Sequence, residues 1–318
     1  MSTFTISTTG WTNEAIAAVS FLQNPTMLLE RMVDLDLTRF YGDKLLGGRS
    51  TSPSLAVAWV QNTELFPDEP SEVVAPGAAI KTVGIGGGKA MFEKITKNGI
   101  GIEVPVEDMQ MFAMDPVDQA ARRLKNQMMV DWDNHVLARI EAGLAHAQTV
   151  AGTTWKTGDA KARAMAFMTN IGQAMDVLTD ANMGYRPNMM IISRDLYRSV
   201  VSNDELLKLL GYQKGRDDAV IDKGMIQFSE FPDLQIYRAR GKRFTDPVIY
   251  DTNAYGSIVS GPGSEGDAYN GLKVTTRHYN DAEQSPGGGS DVIRVTLTRQ
   301  KAGIVREPTA AVKITGVA

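Results

Sequence analysis

The 318-residue chain reads as an α+β protein organised around one long helix. Three observations point there. Apolar residues recur every four positions from Ala120 to Leu144. The stretch 159–260 alternates helical with strand-like patterns. The stretches 55–104 and 271–318 are β-rich and punctuated by proline and glycine. At roughly 100–200 residues per domain, the length allows two domains or one large one. Hydrophobic residues make up 43% and charged residues 22%, enough to build a sizeable core and to exclude wholesale disorder.

Residues 1–54 read as an arm. Its start is rich in Ser and Thr and lacks sustained periodicity. Asn13 is the N-cap candidate for a short helix through Phe21 and Leu22. A second short helix is expected from Pro25, carrying Met27, Leu28, Arg31 and Met32. Gly47, Gly48 and Pro53 then break the chain. Residues 55–104 read as a β excursion. An apolar run over 55–60 is followed by Pro67, Pro70, Pro76 and Gly77, a glycine run over 84–88, and strand-like stretches over 91–96 and 100–104. The prolines and glycines argue against a central strand. A projecting hairpin with an open tip fits better. It buries little apolar surface of its own, so it should be mobile unless it leans on something else.

The clearest element covers 115–148. Asp115 offers an acceptor just ahead of Pro116, a residue suited to the first helical turn. Ala120, Leu124, Met128, Trp132, Val136, Ile140 and Leu144 follow at a spacing of four, which turns the stripe by ~40° per step. Such a stripe winds round the helix, so different stretches should meet different partners, as in a spine. Gly152 and Gly158 are read as its end.

A helix is expected over 160–178, with Met165, Phe167, Met168, Ile171, Met175 and Leu178 on its apolar face. Pro187 introduces a short buried strand over 189–192. Ser193 caps a helix over 194–201, and Asp204 caps another through Leu210, stopped by Gly211. Strands are expected over 225–228, 234–237, 248–250 and 273–276, with a loop over 261–266 and a polar turn over 285–290. Strand-like residues close the chain at Val292, Val295, Leu297, Ile304, Val305 and 311–314. No fixed-period repeat is present.

Composition excludes several functions. Thirty-three basic against thirty-seven acidic residues give a net charge of −4, so bulk charge does not drive nucleic-acid binding. The absence of cysteine removes disulfides, thiolate catalysis and sulfur-based zinc sites. No stretch approaches the ~18 apolar residues of a membrane span. The N-terminus lacks the basic start of a secretory signal, and the bland reading is a soluble intracellular protein. Of three histidines, His135 and His146 share a helix face but stand ~16 Å apart along it, too far for one metal. Asp131 and His135 are read as a helix-face ion pair, and His278 has no evident partner. The run 83–90 fails the phosphate-loop pattern at Val83 and Ala90, and the dinucleotide pattern at Lys89. Acidic pairs such as Asp68-Glu69 and Asp217-Asp218 read as solvated charge, and no nucleophile elbow appears. Met128, Met129, Met165, Met168, Met175, Met189 and Met190 are read as core filling.

Arm, projecting hairpin, spine helix, mixed α/β region and terminal strands follow one another in an order that resembles the major capsid proteins of tailed bacteriophages with the HK97-like fold. Three stretches strengthen the resemblance: 71–81 (SEVVAPGAAIK) is similar to the family's E-loop segment, though Pro76 stands where Glu is common. Residues 102–108 (IEVPVED) resemble the strand entering the spine helix, and 306–314 (REPTAAVKI) the closing strand. The resemblance implies an N-terminal arm over 1–54, an E-loop over 55–98, a P-domain with spine helix over 99–150, an A-domain over 151–269, and a terminal β segment over 270–318 shared by both domains. It implies hexamers and pentamers closing into a shell in the virion, assembled in the host bacterial cytoplasm. Implied partners are further copies of the chain, a scaffolding protein, a portal, a decoration protein, and packaged double-stranded DNA bound without sequence specificity. No cofactor, metal, enzymatic activity or membrane is implied. Expected assembly contacts are Pro76, Gly77, Lys81, Lys89, Glu93, Lys94, Arg122 and Arg123. Some relatives join an E-loop lysine to a neighbour's asparagine with a glutamate as base. Lys81 stands near the lysine position, but the alignment puts Asp291 and Thr298 at the other two. An ionised aspartate is a poor acyl donor and threonine a poor base, so no cross-link is expected. Two other readings stand beside the capsid subunit: an encapsulin-like compartment around enzyme cargo, and a soluble α/β enzyme with a site within 159–260.

Overall fold

The computed structural model describes residues 10–24, 27, 28, 30, 41–61, 89–112, 114–181, 184–209, 225–228, 231–239, 243–262, 272–279 and 291–317. The polar turn over 285–290, the glycine run over 84–88, Pro76, Gly77, Lys81 and most of the second arm helix lie outside them.

In chain order the elements begin with α1 (Asn13–Gln23), α2 (Gly42–Leu45), β1 (Gly48–Thr51), β2 (Ala56–Gln61), β3 (Lys89–Lys94), β4 (Lys97–Pro105), α3 (Val106–Phe112) and α4 (Asp115–Gly143). Then come β5 (Gln148–Ala151), α5 (Ala160–Asp180), β6 (Met189–Ile192), α6 (Arg194–Val201), α7 (Asp204–Leu209), β7 (Met225–Phe228) and β8 (Phe231–Arg238). β9 (Val248–Tyr250), α8 (Thr252–Tyr255), β10 (Gly256–Ser260), β11 (Leu272–Tyr279), β12 (Val292–Val305) and β13 (Ala311–Thr315) complete the chain.

Two sheets and one ribbon result. A five-stranded sheet runs β1-β10-β12-β11, with β4 also paired to β12. A six-stranded sheet runs β5-β13-β9-β6-β8-β7. β2 and β3 form the separate antiparallel ribbon that the alternating pattern predicts. The sequence reading splits β12 in two. It is one strand of 14 residues that pairs with β4 and β11 in its first part and β10 in its last.

α4 serves two cores. Val117, Ala120, Leu124 and Met128 pack with α1, α3 and the β4–β12–β11 strands. Trp132, Val136, Leu137 and Ile140 pack with α5 and the six-stranded sheet. The turning stripe is the cause, since each step of four moves the apolar line round the helix.

Local expectations are corrected at several places. Thr12, not Asn13, caps α1, its hydroxyl accepting from Ala15 N at 3.3 Å. Asp115 lies inside α4, whose N-cap Met114 makes no side-chain cap bond. α4 ends at Gly143, not at Gly152 or Gly158. There the Tyr255 hydroxyl donates to the Ile140 carbonyl at 2.8 Å, and a Cβ on residue 143 would stand 2.5 Å from that hydroxyl. Asn203 rather than Asp204 serves the start of α7, accepting from Glu205 N at 3.1 Å. Ser193 caps α6 as expected, through Leu196 N at 3.3 Å. Met128, Met129, Met189 and Met190 are buried, but Met165 is 62% exposed on the outer side of α5.

Candidate assembly surface

The ribbon is built on strand alternation. Ala58 faces Phe92 across the pair, and Val60 faces Ala90. Val57 and Trp59 turn inward onto Ile95, Val259, Ala302 and Ile304, the cluster that seats the ribbon on β10 and β12. Successive residues point to opposite faces, so Ala58, Val60, Ala90 and Phe92 turn outward. Phe92 is 76% exposed and Val60 49%. Large apolar side chains in such a cluster mark an interaction surface.

Glu93 faces inward and pairs with Arg139 of α4. A cavity of about 230 Å³ separates the ribbon from the end of α4, lined in part by Trp59, Met91, His146 and Val305. The ribbon therefore leans on the body at its base and through one ion pair. Lys89 and Lys94 are exposed, as are Arg122 and Arg123 on α4. Of the expected contact residues, the structure brings Lys89, Glu93 and Lys94 together on β3, and sets Arg122 and Arg123 apart on the helix.

A second apolar patch ends α3. Val106 and Met109 are buried, while Met111 and Phe112 are 75% and 60% exposed. Sequence reading misses both patches. The usable signal for each is an apolar residue at a position whose neighbours two or three away are already committed to the core.

Buried charge ties α2 to the body. Asp43 accepts from Arg299 at 3.1 and 3.2 Å and from the Trp132 indole at 3.1 Å, with Lys301 at 3.9 Å. The Arg299 guanidinium lies 4.4 Å from the Trp132 ring centroid. Burial pulls the Arg299 pKa down from its ordinary value, and the Asp43 carboxylate opposes this. Tyr250 and Tyr255 are pushed up by burial, which keeps both hydroxyls protonated as donors.

Two of the histidine expectations fail. His135 does not pair with Asp131, which accepts from Gln127 at 2.9 Å. His135 stacks on Trp132 at 5.6 Å, and its Nε2 accepts from Gly303 N at 3.5 Å. Burial lowers its pKa, and Arg139 and Arg299 lower it further. His278 does have a partner, Asp291 at 2.9 Å. Asp291 holds a left-handed backbone with φ 49°, and its carbonyl accepts from Val106 N at 3.1 Å. Thr298 donates to the Lys273 carbonyl at 3.3 Å.

In the 159–260 region a groove of about 930 Å³ is lined by Lys44, Arg186, Asp233 and Asp251 among others. The Asp251 carboxylate there accepts from the backbone of Asn253, Ala254 and Arg186, so it builds the loop. Among the described residues no three His, Asp or Glu side chains could hold a metal ion. No described helix is long and apolar enough to cross a membrane.

Comparison with known proteins agrees with this architecture. No curated protein matches the chain. Among solved structures the chain is similar to a phage-related protein from Bordetella bronchiseptica RB50, with TM-score 0.57 and 14% identity over 91% of this chain and 95% of that one. It is similar to a virus-like particle from Pyrococcus furiosus, with TM-score 0.55 and 13% identity over 90% and 96%. It is also similar to the capsid of the cyanophage P-SCSP1u, with TM-score 0.55 and 14% identity over 85% and 86%. These likenesses share the HK97-like fold. A family model described as phage capsid protein matches residues 88–314, from β3 through the long helix and both sheets to β13, and the chain therefore belongs to the phage capsid proteins.

Proposed function

We propose that this capsid protein assembles as hexamers and pentamers into an icosahedral shell around packaged double-stranded DNA. The ribbon carries the reading: it projects an exposed apolar face around Phe92, which a neighbouring copy would cover. Long lapping elements supply the heterologous contacts that a closed shell needs. In this reading residues 1–54 are the N-terminal arm, 55–98 the E-loop, 99–150 the P-domain, 151–269 the A-domain, and 270–318 a terminal segment. The last assignment is supported by β12 lying in one sheet and β13 in the other. Pro76, Gly77, Lys81, Lys89, Glu93, Lys94, Arg122 and Arg123 are the proposed contacts. A scaffolding protein, a portal and a decoration protein are the proposed partners, with assembly in the bacterial cytoplasm. The net charge of −4 favours loose contact with the packaged DNA.

We further propose that the shell holds without an isopeptide bond. Asp291 is engaged by His278, and the Thr298 hydroxyl donates to the Lys273 carbonyl, so neither supplies the acyl donor or the base such a bond needs. Particle mass by light scattering tests assembly: a narrow species of megadaltons is expected, and a stable species of about one chain mass would refute it. A ladder of subunit multiples on a boiled denaturing gel would refute the absence of cross-links. The likeness to the Pyrococcus furiosus particle favours one second reading, a protein compartment enclosing enzyme cargo. Nucleic-acid content of purified shells separates the two.

A further inference from the structure

Residues 41–51 touch both sheets and α4. The Tyr41 ring meets Tyr237 of the six-stranded sheet edge-on at 4.8 Å. The Tyr250 hydroxyl, from the same sheet, donates to the Leu45 carbonyl at 2.9 Å. β1 extends the five-stranded sheet by parallel pairing with β10. Between these anchors Gly42 N donates to Asp133 of α4 at 2.7 Å, and Asp43 takes Trp132 and Arg299 as described. The approach is close. A Cβ on residue 42 would stand 2.8 Å from the Trp132 ring, and one on residue 48 would stand 2.6 Å from Ser257 Cβ. Leu45 and Leu46 are fully buried.

Neither sheet depends on this segment for its central ladder. β1 is an edge strand, and β10, β12, β11 and β4 pair without it. The six-stranded sheet takes no strand from it. Beside the buried Leu45 and Leu46, its charged link to the body is Asp43, which accepts from a guanidinium whose side chain is 2% exposed. Of the two carboxylates that offset the burial of Arg299, Asp43 acts more strongly than Asp133, so removing its charge costs far more than breaking a surface pair.

We propose that residues 41–51 form a strap that opens as a unit distinct from global unfolding, with Asp43 as its bolt. The closed strap fixes how the two sheets sit on α4. Opening exposes Tyr41, Leu45 and Leu46 and frees β1, while the interior ladders persist. Such openings of contiguous units below the global free energy are resolved by native-state hydrogen exchange.

Hydrogen exchange on the full chain tests this with Asp43→Asn, which keeps the size of the side chain and removes its charge. Protection over 42–51 is expected to fall roughly a hundredfold, while 189–192 and 248–250 change less than about threefold. The double variant Asp43→Asn with Arg299→Met removes both charges while keeping an oxygen for the Trp132 indole, and is expected to return strap protection to within about tenfold of the original. Equal loss of protection in the strap and both interior strands would overturn the separate unit, as would no loss at all. A double variant that folds but leaves the strap open would overturn the role of Asp43.

Discussion

His135 sits where two arginines and a dry ring discourage a second proton. Its neutral Nε2 is the acceptor that Gly303 N uses, on the strand that joins both halves of the five-stranded sheet. Because its folded pKa lies below the ordinary 6.5, the unfolded chain binds more protons in the interval between the two values. This stabilisation is complete above pH 6.5 and is lost as pH falls through the folded value. The urea midpoint should therefore drop on acidification below that point, and His135→Gln should flatten the drop. Equal pH slopes in the two proteins would contradict the assignment. Local spacing offers Asp131 to His135 at one turn. The groups that act on it are Trp132 and Arg139 from the same helix, and Gly303 and Arg299 from more than 160 positions away, and that distant half has no local signal. Caps show the same limit at short range. Thr12 and Asn13 are both good cap residues, and only the path of the preceding chain decides between them.

Among the elements, the ribbon carries Phe92, the most exposed large apolar side chain among the described residues. Phe92 contributes little to the fold of a single copy, since 76% of it is exposed. Phe92→Ser should leave the unfolding free energy nearly unchanged, within about 0.5 kcal/mol, and reduce the fraction of chain in large particles. Light scattering and urea unfolding on the same preparation check both halves of that expectation. Breaking the ion pair at its foot with Glu93→Gln should cost at most about 1 kcal/mol, because Arg139 is 39% exposed and solvent screens the pair. Hydrogen exchange over 89–94 should rise all the same. The ribbon is legible in the sequence because alternation and turn residues are local signals. The strap is not: a four-residue helix and a four-residue strand have no periodicity to detect, and Asp43 meets Arg299 across 256 positions. The long helix is legible for most of its length, and its end is not. Tyr255 and Val305 leave no room for a side chain at Gly143, and the helix tightens into a 3-10 turn over Leu144–His146, facts of the tertiary structure.

For the whole molecule, the division of α4 between two cores has a consequence for how damage adds up. Leu124 and Ile140 are both fully buried on one helix, yet they share no packed cluster and lie about 24 Å apart along it. Leu124→Ala and Ile140→Ala should each cost about 2–5 kcal/mol. The double variant should equal their sum to within about 0.5 kcal/mol, as measured by urea unfolding, provided the transition stays two-state. A large coupling energy would mean that the cores are not independent. Additivity carries an implication for sequence change over time. Each half of the helix can be repacked against its own sheet without consulting the other, so the two surfaces that the sheets carry are free to diverge at different rates. The constraint gathers in the middle, at Trp132, where one indole answers at once to the helix, to β12 through Arg299 and to Asp43 of the strap.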